Sequence, residues 1–152
     1  RTQENKLPLS SYAEEGVFKL FMLDIGLFGA KSELDITALL ESNDELLGMF
    51  NGAMTEQFVM QELKAAGFSP YYWGREKGEA EIDFIVQWRN KIVPIEVKSG
   101  IHKKSKSLNV YRSLYNPIYT VRTTLNNFGK TDDLYSIPLY MIGEFGDILN
   151  SP

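Results

Sequence analysis

The chain has 152 residues, 43% hydrophobic and 24% charged, a balance that suits one folded domain with its own core and excludes a low-complexity or disordered chain. It has no cysteine, which excludes disulfides and thiolate metal centres, and no apolar run as long as a membrane-spanning helix, so a cytoplasmic setting without a membrane partner is expected. A single histidine, His102, excludes a multi-histidine zinc site, and the net charge of −4 argues against a simple cationic nucleic-acid binder.

Residues 1–16, opening "RTQENKLPLSS", read as a polar lead-in, and the folded domain is expected over 17–152. "VFKLFMLDIGLFGA" (17–30) is a short apolar strand or helix ending at glycines, with Asp24 placed to cap the helix that follows. Residues 33–48 form a connection whose best helical piece is "LDITALLESND". "NGAMTEQFVMQELKAAGF" (51–68) is the clearest helix, with Asn51 as the expected N-cap and Gly67 as the stop. On its wheel Ala53, Val59, Met60 and Leu63 surround Glu56, so this acid sits in the apolar stripe. Such a carboxylate calls for a metal or a basic partner, unless it only complements the helix dipole.

"SPYYWGRE" reads as a strand, and "EIDFIVQWRNKIVPIEVKSG" (81–100) as a β-hairpin turning at Arg89-Asn90. That turn sets Trp88 opposite Lys91, Val86 opposite Val93, Phe84 opposite Ile95 and Ile82 opposite Val97, one apolar face. The other face then carries Asp83 opposite Glu96 and Glu81 opposite Lys98. Opposed carboxylates must raise one pKa, recruit a cation or splay apart. A hard divalent ion with water and phosphate resolves the conflict, and Lys98 beside it is suited to phosphate charge. The plain alternative is a surface pair between Glu81 and Lys98.

A helix is expected near 106–115, then strands at "PIYTVRT" and "IPLYMI", giving an α/β fold with a mixed β-sheet flanked by helices. "FGKT" (128–131) imitates the end of a phosphate-binding loop, but Thr124 stands where its first glycine belongs, so a turn is expected. From Val97 to Thr131 there is no acid, while Lys98, Lys103, Lys104, Lys106, Arg112, Arg122 and Lys130 all fall in that stretch. Such a run suits a phosphate backbone or a solvated face, and Lys103, Lys104, Lys106 and Arg112 are the candidate nucleic-acid contacts.

The segments "FKLFMLDIGLFGA", "NGAMTEQFVMQEL", "EIDFIV" and "VPIEVKSG", in this order, resemble the domain of unknown function that follows the ATPase module in many prokaryotic AAA+ ATPases. That domain is similar to the PD-(D/E)XK nuclease superfamily, and the resemblance runs from about residue 17 to about residue 142. It implies a restriction-endonuclease-like fold on the C-terminal side of a longer ATPase chain. It further implies Mg²⁺ (or Mn²⁺) on Asp83 and Glu96, Glu56 as the helical acid completing the site, and Lys98 as the catalytic lysine. The implied activity is hydrolysis of nucleic-acid phosphodiesters, of DNA in the first place; the alternative is an inactive module that binds DNA or a protein partner for the ATPase. Ile82 departs from the proline of the superfamily name, and Ser107 and Tyr111 stand where some relatives place a glutamine and a tyrosine, so only Tyr111 matches, as a supporting residue.

Overall fold

A computed structural model of the chain describes residues 1–33, 45–75, 79–100 and 105–150. The helical piece expected over 34–44 lies outside them, as do His102, Lys103 and Lys104. The lead-in is packed: Thr2 and Leu9 are buried, and the Thr2 N–H donates to the Tyr72 carbonyl at 2.9 Å. Helix α1 (Ile25–Lys31) starts where expected, the Leu27 N–H donating to Asp24 Oδ1 at 2.7 Å.

Helix α2 (Glu45–Ala65) begins six residues before Asn51, which is therefore an interior residue and not the N-cap. Gly48 and Gly52, poor helix formers, make Asn51 look like a boundary, and the continuing helix overrides that local signal. Its end falls as expected. Gly67 takes the left-handed conformation (φ 84°), the Gly67 N–H donates to Lys64 O at 3.0 Å, and the Phe68 N–H donates to Leu63 O at 2.9 Å.

Strands β1 (Tyr71–Gly74), β2 (Glu81–Trp88), β3 (Lys91–Val97), β4 (Thr120–Thr124), β5 (Gly129–Thr131) and β6 (Leu134–Pro138) form one mixed sheet in the order β1-β2-β3-β4-β6-β5. Helix α3 (Lys106–Tyr115) is the crossover that the parallel β3–β4 pair requires, and α4 (Phe145–Asn150) ends the fold. The "IPLYMI" strand stops at Pro138 and gives way to a 3₁₀ turn, Leu139–Glu144. "FGKT" is no isolated turn: Gly129–Thr131 is an edge strand paired with β6, and the chain turns afterwards, at Asp132 (φ 50°).

The β2–β3 hairpin takes the expected register from Trp88–Lys91 to Phe84–Ile95, with Arg89 (φ 53°) in the turn. On the other edge of β2, Tyr71 stands opposite Ile85 but Trp73 opposite Ile82, so three steps along β2 match two along β1, one more than in a regular ladder. This irregularity slips the alternation at Asp83–Phe84. Phe84 and Val86 enter the core with Val59 and Leu63 of α2, whereas Ile82 joins Ile85 in a second core with Leu108 and Tyr111 of α3. The expected single face of Ile82, Phe84 and Val86 is therefore corrected by a bulge, a device that re-aims the side chains at its centre.

Candidate functional site

The bulge brings Asp83 to the end of the hairpin, beside Glu96. The Val97 N–H donates to Asp83 Oδ2 at 2.7 Å, so the carboxylate itself ties the two strands together beyond their last paired residues. Burial and then the charge of Glu96 push the Asp83 carboxyl up to about 7, against the lowering effect of that N–H. Glu96, only 4% exposed, is held on β3. Lys98 Nζ lies 2.6 Å from Glu96 Oε1, whereas Glu96 Oε2 is buried without a hydrogen-bond partner. Arg122 stands next to Glu96 in the parallel register and donates through Nη2 to Ser136 Oγ at 2.7 Å. The Lys98 N–H donates to Thr123 O at 2.9 Å, which fixes where its side chain starts.

The helical acid joins this end of the molecule through a residue that sequence reasoning passed over. Lys19 Nζ lies 3.4 Å from Glu56 Oε2 and 2.5 Å from Glu81 Oε1, and it sits over the Tyr72 ring at 5.1 Å. Burial works to lower the pKa of Lys19, yet its hydrogen bond to Glu81 and the charges of Glu56, Glu81 and Asp83 hold it above the ordinary lysine value. Glu81 is thus partnered by Lys19, and the expected cross-strand pair with Lys98 gives way to the Lys98–Glu96 contact. A lone cation between Phe18 and Leu20 was the available signal for Lys19, but its partners lie 37 and more residues away.

Two other expected site residues, Tyr111 and Arg112, have partners away from the carboxylates. Tyr111 is fully buried beneath α3, its hydroxyl donating to Asn5 Oδ1 at 2.6 Å and its ring edge-on to Trp73 at 5.1 Å. Burial pushes its phenol up, away from ionisation. Arg112 forms a two-pronged pair with Asp133, Nε to Oδ2 at 2.9 Å and Nη2 to Oδ1, which ties α3 to the turn before β6. Lys106, the first residue of α3, is exposed. Among the described residues, no group of three or more His, Asp or Glu side chains converges as a ready set of metal ligands, and no helix is long and apolar enough to cross a membrane.

Residues 51–142, more than half of the chain, match the family described as a domain of unknown function, DUF4143, and the chain belongs to that family. The matched span carries Glu56, Asp83, Glu96 and Lys98, and Lys19 precedes it. No curated protein and no solved structure matches the chain.

Proposed function

We propose that this is a nuclease-like domain that binds a divalent cation, Mg²⁺ or Mn²⁺, and hydrolyses nucleic-acid phosphodiesters, DNA in the first place, in the service of an attached AAA+ ATPase. The observation that carries this reading is the unpartnered, buried Oε2 of Glu96 beside Asp83, with Lys98 on the other oxygen of the same carboxylate. A buried acceptor left without a donor costs about 1–3 kcal/mol, more when it is charged, so it asks for a cation. Two carboxylates fit a hard divalent ion, which takes one or two from the protein and fills its remaining positions with water and phosphate.

The chain's own residues divide the work. Asp83 and Glu96 would hold the ion, which when bound supplies a Lewis acid for phosphate oxygen and an acidified water. Lys98, its side chain 32% exposed, is anchored by Glu96 and still reachable by a phosphate whose charge grows during hydrolysis. Arg122, in register with Glu96, keeps positive charge beside the same carboxylate. The resemblance to the PD-(D/E)XK superfamily supports the same assignment of roles, and Glu56 is the further acid it implies.

A second reading, a module that binds nucleic acid or a partner without cleaving, is favoured by one observation: the described residues contain no group of three or more acids arranged to hold a metal ion. Calorimetric titration of Mn²⁺ with cleavage of branched and linear DNA separates the two. Asp83→Asn, which keeps an acceptor for the Val97 N–H, should weaken Mn²⁺ binding about tenfold or more, and Lys98→Ala should slow cleavage about 100-fold or more with binding retained. Mn²⁺ affinity indifferent to Asp83→Asn would refute the metal site. Binding without any cleavage would leave the second reading.

A further inference from the structure

Lys19 reaches the acidic site from an extended segment fastened along α2. The Met22 N–H donates to Gln57 Oε1 at 2.8 Å and Gln57 Nε2 returns to Met22 O at 3.0 Å, so one buried glutamine clips the strap like a strand partner. The Ile25 N–H donates to Gln61 Oε1 at 2.9 Å, one helical turn on. Side chains alternate along the strap: Phe18 (74% exposed) and Leu20 (89%) point out, while Lys19 and Phe21 point in, with Phe21 packed 5.7 Å from Phe84. Helix and strap together therefore fix the position of the Lys19 ammonium.

That position is among carboxylates. Glu56 comes from α2 and Glu81 from the start of β2, while Asp83, two residues on, lines the same small cavity as Lys19 and adds its charge. An ammonium held between acids from separate elements does electrostatically what a metal ion would do. It also engages Glu56, the acid that would otherwise extend the Asp83–Glu96 pair.

We propose that Lys19 is a built-in counter-cation that competes with the divalent ion for this acidic site: it neutralises the site in the metal-free chain, and its withdrawal releases Glu56 towards the ion. This inference rests on the metal-binding reading above and adds a regulatory element to it. Entry of a divalent ion then has to overcome an internal ion pair, so affinity is set by the strap as well as by the carboxylates. Anything that pulls the strap from α2 would tighten cation binding.

Mn²⁺ titrations of the unaltered protein, Lys19→Gln and Lys19→Arg provide the test. Lys19→Gln should bind about tenfold more tightly. Lys19→Arg, which keeps the charge, should stay near the unaltered value, and adding Glu56→Gln to Lys19→Gln should cancel the gain. Acetylation footprinting of the unaltered chain needs no variant to fold: Lys19 should label faster with saturating Mg²⁺ than in EDTA. Equal or weaker binding by Lys19→Gln, or labelling unchanged by Mg²⁺, overturns the inference while the metal site stands if the unaltered protein still binds Mn²⁺. No binding by any of the chains overturns both.

Discussion

The two cores on either side of the sheet treat their polar groups in opposite ways. Beneath α3, Tyr111 donates to Asn5, Trp73 Nε1 donates to Gln3 O at 3.1 Å, and the Tyr115 hydroxyl donates to the same carbonyl. Three aromatic rings packed within 5.8 Å of one another, with their polar tips satisfied by the lead-in, form a framework that needs nothing further. At the end of the β2–β3 hairpin, by contrast, a buried carboxylate oxygen lacks a donor, a second carboxyl is raised to about 7, and an ammonium is drawn in from the strap. Unmet demand concentrated at one end of the sheet is what singles that end out as the candidate site.

The largest effect that would sharpen this contrast belongs to the scaffold. Tyr111→Ala should cost about 3–5 kcal/mol in denaturant unfolding, because it empties a fully buried aromatic site. Tyr111→Phe should cost about 1–2 kcal/mol for the lost bond to Asn5. Mn²⁺ affinity should be untouched by Tyr111→Phe, and a loss as large as that in Asp83→Asn would erase the division between the two regions.

Next comes a pH effect at the hairpin end. The folded pKa of Asp83, about 7, lies above its unfolded value, so the proton on Asp83 favours the folded state. That contribution is complete below the unfolded value near 4 and is lost as pH rises through about 7. Metal-free stability should therefore fall over that interval by about 2–4 kcal/mol. Asp83→Asn should flatten the profile and be the more stable protein at pH 8 in EDTA, by about 1–3 kcal/mol. A variant less stable than the unaltered chain under those conditions would mean that the charge itself is needed by the Val97 N–H.

The hairpin was legible because its apolar residues leave one register for a two-residue turn, and that register is the one observed from Trp88 to Phe84. Its end was not, because the slip at Asp83 is imposed by β1, whose pairing with β2 no local pattern records. The carboxylates and Lys98 could be picked out by residue type and spacing. Lys19 could not, since its meaning comes only when Gln57 and Gln61 lay the strap along α2. Arg112 shows what a stretch of sequence leaves out: the run from Val97 to Thr131 has no acid, yet Asp133, just past it, pairs with Arg112 in the fold.

The smallest effects separate the two kinds of basic residue on α3. Arg112→Ala should cost about 1 kcal/mol, as a partly exposed ion pair does, and leave the salt dependence of DNA binding unchanged. Lys106→Gln should leave stability alone and shallow the slope of log affinity against log salt by roughly 0.9, read by anisotropy in Ca²⁺. The opposite pattern would move the proposed nucleic-acid surface from the start of α3 to its end.

The borders of the sheet have a consequence for self-association. An open strand offers its main-chain groups to any other extended chain, and long, flat, apolar edges invite fibrils. Here β5 is three residues long, with Lys130 lying over Tyr135 at 4.9 Å, and a charge on so short a run gives an incoming strand little to pair with. At the opposite border Thr2 bridges to Trp73 and the Gly74 N–H donates to Thr2 O at 3.4 Å, so the lead-in takes up pairing groups of β1. A protein so bordered is guarded against stacking into ribbons, and loosening the lead-in from Trp73 would expose the border that most needs covering.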